Sequence, residues 1–209
     1  AIGLPIGATT FAEVFAFSLM GLVLGKFGAE TLAAHQIAGN LNGVTFMIPM
    51  ALGRATTIRV GFNDGANDFD QARLAALVAL RAAAIFAVFV GLLLLFGRFF
   101  VVSLFSTDPV VNALAASVVI FVAAYQLVDD TQVVAISALR GYKDTKVPMW
   151  IALSGYWILA VPIACWLGFG LFMFDPMGIY GFWTGMTIGL SFVAFAALYR
   201  LWRTATDVD

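Results

Sequence analysis

The chain has 209 residues, 62% of them hydrophobic and only 11% charged, with 20 Phe, a formal net charge of −1 and a mean hydropathy of +0.98. A soluble domain of this size needs a polar shell, whereas a protein dissolved in lipid is apolar on both its core and its outer surface, so the composition excludes an ordinary soluble fold. No basic stripe suited to nucleic acid is present, and the single cysteine, Cys165, excludes an internal disulfide or a multi-cysteine metal site.

A spanning helix needs about 20 mainly apolar residues. The chain opens Ala1-Ile2-Gly3-Leu4-Pro5, with no basic region ahead of a short apolar stretch; it is expected to lack a signal peptide and to be cut from something longer. Candidate spans follow at 4–25, 32–52, 77–97, 113–139, 149–170 and 179–198. Turn-forming connections separate them: Lys26 to Glu30, Asn63 to Asp68, Ser106 to Pro109, Gly141 to Asp144 and Phe174 to Gly178. All are short. The expected fold is an all-α polytopic membrane bundle of six transmembrane helices, residues 1–209 forming a single unit.

If the first helix enters from the cytoplasm, that side receives Arg54, Arg59, Arg73, Arg81, Arg140, Lys143, Lys146, Arg200 and Arg203, leaving Lys26 and Arg98 on the other. Nine of eleven basic residues on one side predict, by the positive-inside rule, that both chain ends are cytoplasmic. Pro162 is expected to bend the fifth span, and the four-spaced Gly181, Gly185 and Gly189 to allow close helix contact in the sixth.

Polar residues inside the spans carry the functional signal. Glu13 falls near the middle of the first span and Asp129 near the middle of the fourth, followed directly by Asp130. A carboxylate at the bilayer centre costs at least about 2.5 to 3.5 kcal/mol, so such residues face a cavity, where a proton or a metal cation competes for them, or else make an inter-helix hydrogen bond. Tyr125, four residues before Asp129, and Gln132, three after, share its helix face, while Asp130 points about 100° away. Asp129 is therefore expected to face the cavity in preference to Asp130. Tyr125 and Gln132 either join it there or hydrogen-bond between helices. His35, the only histidine, makes a poor metal site and is expected to pack or hydrogen-bond near the outer interface. Asn40 and Asn42 are expected to hydrogen-bond between helices or to line the cavity.

These residues occur in recognisable runs. Gly3-Leu4-Pro5-Ile6-Gly7 followed by Glu13, Leu32-Ala33-Ala34-His35-Gln36-Ile37-Ala38, Thr45 to Gly53, Tyr125-Gln126 with Asp129 and Gln132, and Leu139-Arg140-Gly141-Tyr142-Lys143-Asp144-Thr145 together resemble the MATE family, the multidrug and toxic compound extrusion transporters. The likeness is to their carboxy-terminal six-helix lobe, in the bacterial branch. It implies a secondary antiporter, not an enzyme, that exports an organic, mostly cationic, compound against inward Na⁺ or H⁺ across the bacterial cytoplasmic (inner) membrane. It also implies a missing partner, the amino-terminal six-helix lobe, and no cofactor beyond the coupling ion.

By motif, the family's cation-coupling glutamate, phenylalanine, tyrosine and aspartate correspond to Glu13, Phe46, Tyr125 and Asp129. The two carboxylates would be the Na⁺ ligands if the transporter is sodium-coupled. An aromatic face adds a cation–π contribution of about 0.5 to 2 kcal/mol. Asp130, Gln132, Asn40, Asp108 and His35 are further candidates for the cavity or its surroundings. Asp108 resembles an external segment that contacts cationic drugs in some relatives, although an Asp-Pro turn explains it equally well. The competing reading is a flippase of lipid-linked oligosaccharide or another amphipathic lipid precursor, which shares the architecture but favours basic residues inside the cavity.

Overall fold

In the computed structural model, residues 3–171 and 175–206 are described, and among them the chain forms six helical rods. The first is α1, Gly3–Leu24, closed by a 3₁₀ turn at Gly25–Phe27. Then come α2, Ala29–Gly65, α3, Phe69–Ser103, and α4, Pro109–Gly141. The fifth rod has three parts: α5, Lys146–Leu153, a π turn at Ser154–Ala160, and α6, Val161–Phe169. The last is α7, Ile179–Thr206. The expected connection at Phe174 to Gly178 lies partly outside the described residues.

Five rods are long and apolar enough to cross a bilayer. The exception is α2, which is 37 residues long but the least apolar of the six. A helix does stand where the sequence predicts the second span, yet its polar positions answer to a cavity instead of to lipid. The outer surface is lipid-like. Phe62, Ile85, Phe96 and Phe195 are all more than 70% exposed, which only a lipid or protein environment tolerates in such number.

Predicted and observed boundaries differ most around the connection between α2 and α3. The second and third spans were expected to stop at 52 and start at 77, but α2 continues to Gly65 and α3 begins at Phe69. Arg54, Arg59 and Arg73 ride on these helical extensions, because hydrogen bonding within a helix does not end where lipid ends. Asp68 starts α3 by accepting the Gln71 backbone N–H at 3.2 Å.

The α4 helix is the centre of the bundle, packed against α2, α3 and α7. Its approach to α2 is close: Thr57 donates to the Ser137 carbonyl at 2.7 Å, and a Cβ on Gly141 would run into Val60. The glycine stripe of α7 behaves as its spacing predicts. Gly181 lies on the backbone of Leu167 and Gly168, Gly185 on Ala164 and Gly189 on Ala160, each too close for any Cβ. At one end of the bundle, Lys143 pairs with Asp64 at 3.5 Å and Arg200 with Asp144 at 2.7 Å, tying together three regions that the charge pattern assigns to one side.

Candidate functional site

Helices α1 and α2 diverge to leave an open cavity of about 700 Å³, with α4 behind it. Each flanking helix presents a stripe at helical spacing: Glu13, Phe17 and Gly21 on α1, continued by Gly25 of the 3₁₀ turn, and Leu32, His35 with Gln36, Gly39, Asn42 with Gly43, and Phe46 on α2. Small residues create the volume. Nothing lies within 4 Å of the Cβ positions of Gly39 or Gly43, and Gly21 faces only the His35 ring. From α4, Asp129 reaches the cavity.

The inward stripe of α1, Ala12, Ala16, Met20 and Leu24, sits in the core. Glu13, one residue from Ala12, is rotated to the edge of that stripe and remains partly exposed to the cavity. Asp129 is nearly sealed, 2% exposed, with its Oδ1 unpartnered and the Asn42 side chain at its carboxyl. Glu13 and Asp129 lie within electrostatic reach of each other, so two acids from different helices share one pocket.

Behind the pocket stands an aromatic wall. The Tyr125 ring meets Phe17 edge-on at 5.8 Å and Trp183 edge-on at 5.8 Å, and His35 leans on Trp183 at 5.9 Å. Tyr125 is fully buried in this wall and does not itself line the cavity, although it lies within reach of Asp129. His35 does line it, buried and with an unpartnered Nδ1. The histidine thus packs on an aromatic ring, as one expected alternative has it, but in the cavity wall.

The remaining candidates separate. Asp130 is fully buried away from the cavity and belongs to a relay in which Thr45 Oγ1 donates to Gln126 Oε1 at 2.9 Å and Gln126 Nε2 donates to Asp130 Oδ1 at 2.7 Å. Gln132 is buried and is not among the cavity residues. Asn40 is exposed and is not among the residues lining this pocket, since two residues of helix turn it about 200° from Asn42, which does line it. Asp108 caps α4, its Oδ1 accepting the N–H groups of Val110 at 2.8 Å and Val111 at 3.3 Å, with Pro109 in the first turn. The turn explanation accounts for both carboxylate contacts.

Sequence reasoning missed Phe17 and Trp183. Phe17 was within reach of it, since it follows Glu13 by four residues on the same helix face. Trp183 sits in an apolar run indistinguishable from a lipid-facing one.

Lipid-facing helices around an open pocket with two carboxylates define a polytopic helical membrane protein. The chain belongs to the MATE family: the family model MatE matches residues 5–166. It is 42% identical over 205 residues to the multidrug resistance protein PmpM of Pseudomonas aeruginosa, covering 98% of this chain and 43% of that protein. It is 39% identical over 200 residues to the probable multidrug resistance protein NorM of Shewanella oneidensis, covering 96% of this chain and 44% of that protein. The chain thus spans about half the length of the curated relatives it matches. Among solved structures, it superposes on the eukaryotic MATE transporter AtDTX14 with a TM-score of 0.86 at 21% identity, covering 100% of this chain and 48% of that one. A multidrug resistance MATE family transporter in its outward-facing conformation gives 0.87 at 18% identity, covering 96% and 43%. These two likenesses concern the fold.

Proposed function

We propose that this chain is the carboxy-terminal lobe of a bacterial secondary antiporter that exports organic, mostly cationic, compounds against inward Na⁺ or H⁺. One observation carries the reading: Glu13 of α1 and Asp129 of α4 share a single open pocket. Two carboxylates in one weakly solvated pocket repel each other unless a cation or proton joins them, so ion binding there is favourable and is coupled to anything else carrying positive charge. Phe46 adds an aromatic face to the pocket wall, and Tyr125 stands behind it.

In the outward-open transporter, the ion takes the two carboxylates and displaces the cationic compound, which leaves outward. The loaded lobe then moves against an amino-terminal lobe about a shared site, releases the ion inward and accepts new cargo. Competition for the same negative charge is the coupling. Among the described residues, those lining the pocket include two acids and a histidine but no lysine or arginine, which speaks against the phosphate-binding cavity of a flippase. The basic residues clustered at one end of the bundle support a cytoplasmic location for both chain ends.

The test uses the complete transporter carrying this lobe in proteoliposomes, with ethidium efflux driven by an imposed Na⁺ or pH gradient. Glu13→Gln and Asp129→Asn are each expected to lower gradient-driven efflux at least tenfold while remaining folded, and the effective gradient names the ion. Wild-type efflux in both variants sinks the assignment.

A further inference from the structure

Helices α3 and α7 both pack on α4 and leave between them a groove of about 210 Å³, which shares no lining residue with the ion pocket. Its lining repeats at helical spacing on each side: Arg73, Leu77 and Leu80 on α3, and Leu198, Trp202 and Ala205 on α7. The third and sixth rods run in opposite directions, so Arg73 and Ala205 stand at one end of the groove and Leu80 and Leu198 at the other. Seven residues of helix separate these ends, a rise of about 10 Å.

Along that rise the groove passes from apolar to polar. Its deep end is hydrocarbon-like, since Leu80 and Leu198 lie within the apolar runs at 77–97 and 179–198. Its mouth lies about one turn beyond both runs, where Trp202 is 60% exposed and its ring leans on Tyr199 at 6.2 Å. Exposed tryptophan and tyrosine near the ends of spanning helices mark headgroup depth. Arg73 stands at this mouth, exposed and with no ion pair among the described residues. Two basic residues at the same end are already engaged, Lys143 with Asp64 and Arg200 with Asp144. A guanidinium without a carboxylate, set at headgroup depth over an apolar slot, is complementary to a ligand with a phosphate at one end and a hydrocarbon chain at the other.

We propose that this groove binds one anionic phospholipid of the leaflet that meets the basic end of the bundle. Its phosphate sits on the Arg73 guanidinium, its glycerol region beside Trp202, and one acyl chain lies between Leu77, Leu80 and Leu198. Basic pockets between spanning helices select acidic headgroups, because a zwitterionic lipid fills the same slot without bringing net charge. Bound there, the lipid bridges α3 and α7, which otherwise meet through α4.

The experiment uses the complete transporter carrying this lobe, stripped of lipid in detergent and titrated with phosphatidylglycerol or phosphatidylcholine of the same chains. Bound lipid is counted by native mass spectrometry and the thermal midpoint is recorded alongside. Wild type is expected to bind phosphatidylglycerol more tightly than phosphatidylcholine and to gain the larger rise in midpoint from it. Arg73→Gln should weaken phosphatidylglycerol about fivefold and leave phosphatidylcholine unchanged, while Arg73→Lys keeps most of the preference. Ala205→Leu, which fills the slot from its rim, should weaken both lipids. The lipid-free midpoints of the Arg73 variants should stay near wild type, because the guanidinium has no ion pair to lose. Arg59, exposed on α2 and outside the groove, is the control, and Arg59→Gln should bind both lipids as wild type does. Equal losses in Arg59→Gln and Arg73→Gln would make the attraction a property of the whole basic end and overturn the site. Equal affinity of wild type for the two lipids, unaltered binding in Ala205→Leu, or glycerol phosphate without chains matching phosphatidylglycerol would each overturn it as well.

Discussion

Asp129 and Asp130 are neighbours on α4 with separate environments: Asp129 reaches the pocket between α1 and α2, while Asp130 is sealed behind it and accepts a hydrogen bond from Gln126 Nε2 at 2.7 Å. A helix turns about 100° per residue, and that rotation is the difference between an acid available to a ligand and one committed to the bundle.

The two acids are therefore expected to respond differently to truncation. Asp130→Ala strands the Gln126 amide in the core and should cost about 1 to 3 kcal/mol, whereas Asp130→Asn keeps an acceptor and should cost less than about 1 kcal/mol. Asp129→Asn removes one of the two acids that share the pocket and should be neutral or stabilising, one oxygen being unpartnered at Asp129 and Asp130 alike. Unfolding in detergent measures all three, and equal losses at positions 129 and 130 would contradict the partition.

At the α6–α7 contact, Gly185→Ala should be among the most damaging small substitutions in the chain. The new methyl would meet the backbone and Cβ of Ala164, and prying apart two packed helices costs about 1 to 3 kcal/mol. Gly7→Ala, where nothing lies within 4 Å, is the control and should be nearly silent. The same unfolding assay separates them.

Capping and drug contact at Asp108 are distinguishable by charge. Asp108→Ala removes the acceptor for the Val110 and Val111 N–H groups and should destabilise by about 0.5 to 2 kcal/mol. Asp108→Asn retains the cap, loses the charge, and should leave both stability and efflux of a cationic compound near wild type. A selective loss of cation efflux in the Asn variant would restore the drug-contact role.

Much of the fold was legible because lipid imposes simple demands. Twenty-residue apolar runs, charged turns and a one-sided distribution of arginines mark the rods, and the small four-spaced residues of α7 announce a close helix pair. Glu13 and Asp129 stood out because acids in lipid are expensive. Phe46 drew notice through a family motif alone; its own apolar surroundings give no signal.

What the sequence by itself determined is the class of protein, its helical rods and the two acids, since these follow from local composition and helical spacing. Only the tertiary structure decided that α1 and α2 diverge to open a pocket and that Trp183 backs it. Those outcomes depend on how one rod packs on another, and a phenylalanine, tryptophan or tyrosine reads the same in sequence whether it faces lipid or lines an ion site.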